Sequence, residues 1–225
     1  MKYPLVTCII PVFNGEKYIE SAIESVLNQT YKNIEIILAD DGSTDNTPNL
    51  IRKYDGKIRY IRQPNAGSAS ARNLGISKTC GDFIGFLDSD DMWDKDKILL
   101  QLECFENNPE IDICLCNIKI INEKEKGILD KNYVIITPYT VCSILIKAET
   151  LKKVGYFNIN LKFGEDTDWF MRIRKLGIPV KILKEELVYA RLHNHNLTNS
   201  INVRSREAIF SQIKNVLDER RNKLT

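Results

Sequence analysis

Three short stretches of this chain, residues 6–10, 34–39 and 83–87, are β-prone runs with almost no polar side of their own, the second broken only by Glu35. Each is followed by a loop and then by helical spacing. Ile19, Ile23, Val26 and Leu27 recur along residues 16–27; Thr47-Pro48 reads as an N-cap and first-turn proline. Residues 58–61 read as a further strand, 69–77 as a short helix, and Ile98, Leu102 and Phe105 share one helical face. A strand that is apolar on both faces must be covered on both faces. Alternating with helices, such strands form a mostly parallel, Rossmann-like sheet between helix layers, the α/β class, with chemistry at the strands' carboxyl ends.

The spacing changes after residues 111–121. A polar, hairpin-like stretch at 122–133 precedes strand signals at 134–137 and 141–146, which predict a mixed sheet. Helices are expected at 147–154 and 165–176, each stopped by a glycine, Gly155 and Gly177, suited to a left-handed cap. Strands at 180–183 and 187–190 follow. Residues 1–105 and 106–203 therefore read as two halves of one domain, and 204–225 as a C-terminal extension. In that extension Ile209, Phe210, Ile213, Val216 and Leu217 form a stripe, with Arg206, Lys214, Arg220, Arg221 and Lys223 mostly elsewhere. Such a basic amphipathic helix, spanning 205–223, either packs on the domain with a solvated face or docks on anionic lipid.

A net charge of +2 gives no field that favours nucleic acid, and no basic tract carries interleaved aromatics, so a nucleic-acid partner is not expected. No apolar run approaches the roughly 18 residues that span a bilayer, and no secretory leader is read at the N-terminus. The six cysteines include no CxxC pair and mostly have apolar neighbours. They read as reduced core thiols, which fits the cytoplasm.

Two acidic clusters are poorly explained by solubility. Asp40-Asp41 and Asp88-Ser89-Asp90-Asp91 each follow an apolar strand, so parallel strands would carry both to one sheet edge. Packing that charge together without a cation raises carboxyl pKa values, and a divalent ion relieves it. The D-x-D spacing of Asp88 and Asp90 suits Mg²⁺ or Mn²⁺, whereas a soft metal would want Cys or His. A helix N-cap explains the second cluster alone equally well; its pairing with the first favours the metal. Arg72, after the small-residue run 67–71, is either a surface cation or the partner of a diphosphate. Glu165 and Asp166 suit the positive end of a helix dipole. His193 and His195 would share one side of an extended strand, which makes a ligand role available to one of them.

In order, residues 6–14 (VTCIIPVFN), 25–30 (SVLNQT), 40–45 (DDGSTD), Gly67 through Ala71-Arg72-Asn73, 87–91 (LDSDD), 155–158 (GYFN) and 164–166 (GED) resemble family 2 glycosyltransferases of the GT-A fold. The resemblance runs to about residue 193. It implies inverting transfer of one hexosyl or N-acetylhexosaminyl unit from a nucleotide-diphosphate sugar, UDP above all, to a glycan or lipid-linked acceptor, with Mn²⁺ or Mg²⁺ as cofactor. Asp166 matches the catalytic base, with Glu165 in support. Pro11, Phe13, Asn14, Asp41, Arg72, Asp88, Ser89 and Asp90 match nucleotide-side positions, and Asp90, Asp91 and His193, the last in an R-x-H element, match metal-side ones. Asn158 departs from the pattern, standing where an aspartate is common, and no signature of a polymerising synthase is present. The resemblance also allows action at the inner membrane face.

Other classes fit less well. A nucleotidyltransferase would want a glycine- and lysine-rich phosphate loop after the first strand, which residues 11–17 do not supply. A dehydrogenase would show G-x-G-x-x-G there. A noncatalytic sugar-nucleotide binder would need no base at Asp166.

Overall fold

The computed structural model describes residues 3–122, 135–136, 139–161 and 163–193. His195, most of the polar stretch at 122–133 and the helix expected at 205–223 lie outside the described residues. Four strands, β1 (Val6–Val12), β2 (Ile34–Asp40), β3 (Arg59–Arg62) and β4 (Phe83–Phe86), are parallel and lie in the order β3-β2-β1-β4. Every residue of β1 is buried, as a central strand covered on both faces requires. Helix α1 (Ile19–Leu27) turns Ile19, Ala22, Ile23 and Val26 inward. Helix α2 (Thr47–Leu50) is one turn with the expected proline in it, but Thr47 is its first residue rather than its cap, which is Asn46.

Helix α3 (Ser68–Ile76) has little apolar stripe and packs by being thin. It lies against β1 and β2, and a Cβ on Gly75 would collide with the Ile9 side chain. Close approach of helix to sheet is thus the use of its small residues, which Ala69, Ala71 and Gly75 share.

The second half adds β5 (Met92–Trp93), α4 (Lys97–Asn107), β6 (Ile113–Asn122), β7 (Ile135–Ile136), β8 (Leu145–Lys147), α5 (Ala148–Val154), α6 (Glu165–Lys175) and β9 (Val180–Leu192). β8 joins the parallel half by pairing antiparallel with β4, then β6 pairs antiparallel with β8; β9 runs parallel to β6, and β5 antiparallel to β9. The sheet is mixed where expected. β5 is not among the expected strands, and two further departures stand out. Val141–Ser143 is a 3₁₀ turn, with the Ser143 hydroxyl donating back to the Thr140 carbonyl at 2.8 Å, and the strand starts only at Leu145. The two short strands expected after residue 179 are one: the polar break at 184–186 is absorbed by register shifts around Asn117, whose amide donates to the Lys184 carbonyl at 2.9 Å.

All six cysteines are free, and five are buried; Cys80, in the turn leading to β4, is the exposed one, since a turn residue has no neighbour layer to cover it. Among the described residues no helix is long and apolar enough to cross a membrane.

Candidate active site

Pairing register decides where the acids meet. Val12 of β1 lies opposite Asp40 of β2, and Ile9 opposite Phe86 of β4, so the loops after β2 and β4 flank the loop after β1 at one sheet edge. Strand order reverses there, which is where open α/β sheets form a crevice.

Asp40 and Asp41 are both buried, and each is held by donors from its own surroundings. Asp40 accepts from the Ser43 amide at 2.7 Å and the Tyr60 hydroxyl at 2.5 Å, and it fixes the turn. Asp41 accepts from Gln63 Nε2 at 2.6 Å and from the Ala66 and Gly67 amides at 2.9 and 2.8 Å. It therefore pins the segment entering α3 while facing the cleft. Between them and that segment, Gly42 has φ 83° and packs so tightly that a Cβ would sit 2.9 Å from the Asn65 nitrogen. Asn14, in left-handed geometry with φ 52°, accepts from the Thr44 amide at 2.8 Å and donates from its own amide to Ser43 Oγ at 2.9 Å. The loops after β1 and β2 are latched together by their own polar groups.

Across the crevice, Arg72 is buried and its guanidinium spans three chain segments. Nη2 donates to Asp88 Oδ1 at 2.8 Å and Nη1 to Glu165 Oε1 at 3.0 Å, while Asp166 Oδ1 lies 3.5 Å from Nη1. Ser68 Oγ also donates to Glu165 at 2.7 Å. Arg72 is thus neither a surface cation nor free: it joins α3, the loop after β4 and the start of α6. The position of α6 is fixed independently. Trp169 is fully buried, stacks on Phe157 with centroids 5.0 Å apart and donates to the Gly155 carbonyl at 2.9 Å. Arg172 donates to the Val154 and Tyr156 carbonyls at 2.6 and 2.8 Å.

Asp166 stands in the first turn of α6, after Gly164 with φ 79°. Its side chain is 30% exposed, yet Oδ1 is enclosed and has no hydrogen-bond partner. Burial pushes this carboxyl up to about 6; the Arg72 cation works against that rise, and the charges of Asp88 and Glu165 add to it.

The third group closes the crevice from β9. His193 Nε2 lies 3.0 Å from Asp90 Oδ2. The Arg191 amide donates to Asp91 Oδ1 at 2.9 Å, and Arg191 Nε donates to the Asp90 carbonyl at 3.0 Å. Burial raises the Asp90 carboxyl, with Asp88 adding, and raises Asp91 well above the usual range, with Asp88 and Asp90 adding. Asp88, Asp91 and Cys142 offer ligand atoms all within 4.8 Å of one another. Burial first, then Asp88 and Asp91, push the Cys142 thiol far up, so it serves as a neutral donor to Asp88 rather than as a thiolate. Acids outnumber the cations Arg72 and Arg191 at this edge. The clustered carboxylates Asp88 and Asp91 fit a hard divalent cation; among the described residues the group they form includes Cys142 and not His193, which lies on Asp90 beside it.

Together these groups line a cleft of about 840 Å³. Pro11, Phe13, Asn14, Asp41, Arg72, Asp88, Ser89, Asp90, Asp91, Glu165 and His193, all singled out from sequence, face it; Asp166 stands beside Glu165 at its margin. Tyr18 and Cys142 also belong to this edge without having been expected there. Tyr18 precedes an ordinary amphipathic helix and Cys142 sits in an apolar run, so neither carries a local signal.

A parallel half that brings two acidic loops to one edge, completed by a mixed half that presents a carboxylate at a helix start, is the GT-A fold of glycosyltransferases. The chain belongs to glycosyl transferase family 2, whose model matches residues 7–178. An uncharacterized glycosyltransferase of Rickettsia typhi is 34% identical over 88% of this chain and 67% of its own length. Another, of Haemophilus influenzae, is 33% identical over 84% of this chain and 77% of its own. Among solved structures, Staphylococcus aureus TarS 1-349 in complex with UDP-GlcNAc superposes with a TM-score of 0.73 at 26% identity, over 88% of this chain. The chain spans 62% of that TarS fragment. A mannosyltransferase of Pyrobaculum calidifontis, in complex with GDP-Man and Mn²⁺, shares the fold with a TM-score of 0.67 at 18% identity, over 88% of this chain and 59% of its own.

Proposed function

We propose that this glycosyltransferase inverts the anomeric centre as it moves one sugar from a nucleotide-diphosphate donor, with UDP as the nucleotide, to a hydroxyl of a glycan or lipid-linked saccharide. The observation that carries this reading is the setting of Asp166. Asp166 Oδ1 faces Arg72 Nη1 at 3.5 Å with 30% of the side chain exposed, and Asp88 is bonded to the same guanidinium. A base raised to about 6 is ionised at neutral pH and still basic enough to accept a proton in the transition state. The UDP and UDP-GlcNAc complexes of TarS support the donor class.

In this reading residues 1–105 bind the donor and 106–203 the acceptor. Asp41, Pro11, Phe13 and Asn14 line the nucleotide end, and Asp88, Ser89 and Asp90 the diphosphate end. The acceptor oxygen attacks the anomeric carbon from the face opposite the diphosphate, that carbon's bond to the diphosphate breaks, and Asp166 takes the hydroxyl proton. No covalent intermediate forms. Glu165, tied to Arg72 and Ser68, keeps the start of α6 in place. Asp90, Asp91 and His193 would hold Mn²⁺ or Mg²⁺, which when bound supplies positive charge for the departing diphosphate. Free thiols support a cytoplasmic setting, and the basic segment at 205–223 would either pack on the domain or rest on the membrane's inner face.

The test is Asp166→Asn, assayed with Mn²⁺ and a panel of UDP-sugars. It should bind UDP as the wild type does and lose transfer by about 100-fold or more, the range of general-base catalysis. Wild-type turnover in this variant would overturn the assignment.

A further inference from the structure

One aromatic ring in the cleft has no part in the chemistry above. Tyr18 lies just before α1, with its amide bonded to the Gly15 carbonyl at 3.0 Å, and its side chain lines the cleft beside Lys17 and Arg191. The ring stacks on His193, with centroids 4.7 Å apart and planes 26° from parallel. The Arg191 guanidinium lies 4.9 Å from the centre of the same ring. Arg191 also donates to Ser21 Oγ at 3.3 Å, and Ser21 Oγ donates to the Tyr18 carbonyl at 2.7 Å.

These contacts tie two ends of the chain to the acidic loop. Arg191, in β9, and His193, just past its end, both meet the Tyr18 ring, while Arg191 Nε and His193 Nε2 reach the Asp90 carbonyl and carboxylate. The stack sets the plane of the His193 imidazole while its Nε2 meets Asp90. We infer that Tyr18 is a positioning residue, whose ring holds the His193 imidazole against the 88–91 loop and so sets the Asp90–His193 pair toward a divalent ion. The inference rests on the proposed metal role of that pair. It requires the flat ring and not the hydroxyl, which separates Phe from any aliphatic replacement.

The experiment titrates the full chain with Mn²⁺ and reads free ion by EPR, comparing wild type, Tyr18→Phe, Tyr18→Leu, Tyr18→Met, His193→Ala and Tyr18→Leu/His193→Ala. Tyr18→Phe should bind within about twofold of wild type, and the Leu and Met variants about tenfold more weakly, the scale on which groups that orient a metal ligand act. In the His193→Ala background the Leu change should cost less than about twofold, because its effect passes through His193. Leu and Met variants that bind like wild type would overturn the inference. So would a Phe variant as weak as Leu, or a full tenfold loss repeated without His193. A wild type that fails to bind Mn²⁺ would instead sink the metal reading itself, and this inference with it. Thermal melts of each variant exclude global unfolding, and the Met variant serves if Leu does not fold.

Discussion

A carboxyl group that titrates near 6 works as a base only when the medium is less acidic than that. For Asp166, transfer at low substrate should therefore be flat above about pH 6 and fall roughly tenfold per unit below it, as the protonated fraction grows. Removing the opposing cation should worsen this. In Arg72→Gln burial and the charges of Asp88 and Glu165 act unopposed, so the acid limb should move to higher pH. Profiles of kcat/KM against pH for the two proteins measure the shift, and an unmoved limb would show that Arg72 does not tune the base. At this scale the sequence was readable where an acid follows an apolar strand, as Asp41, Asp88 and Asp90 do. Arg72 was readable as a cation but not in its partners, because Glu165 is 93 positions away and only the closed sheet brings it near. Tyr18 and Cys142 were unreadable for the same reason.

Secondary-structure elements were legible in proportion to their local periodicity. β1, β2 and β4 announce themselves by apolar runs, and α5 and α6 by the glycines that stop them. β5 has only Met92 and Trp93, and exists because β9 passes beside it. β9 looked like two strands, since a polar break in sequence cannot reveal a partner irregular enough to accommodate it. The fit of α3 to β1 gives a sharp test. Gly75→Val should destabilise the fold by about 1–3 kcal/mol, the usual cost of overpacking a well-filled core, because its side chain must enter space held by Ile9. Gly42→Ala should destabilise too, through both its positive φ and the Asn65 backbone beside it. Urea unfolding midpoints for each variant against wild type provide the measurement; an unchanged midpoint for Gly75→Val would mean that helix and sheet can separate freely.

For the molecule as a whole, thiol accessibility offers a simple check. Under native conditions one cysteine, Cys80, should react rapidly with an aromatic disulfide reagent and the other five only on unfolding. Replacement of Cys80 by Ser should abolish the fast phase. Ligand linkage gives a second: UDP with Mn²⁺ at about 100 times its dissociation constant should add about 2.7 kcal/mol to unfolding stability, seen as a raised melting temperature that chelation reverses. The buried guanidinium of Arg72 bears on how such a chain comes to be made. Synthesis delivers Asp88 16 positions after it, but Glu165 only 93 positions after it. Until then one arginine waits with a single counter-charge, and long-range closure of this kind is slow. A nascent chain stalled before α6 would thus hold the strands β1 to β4 and still lack a closed donor cleft, so nucleotide sugars could stabilise it only once α6 has been made.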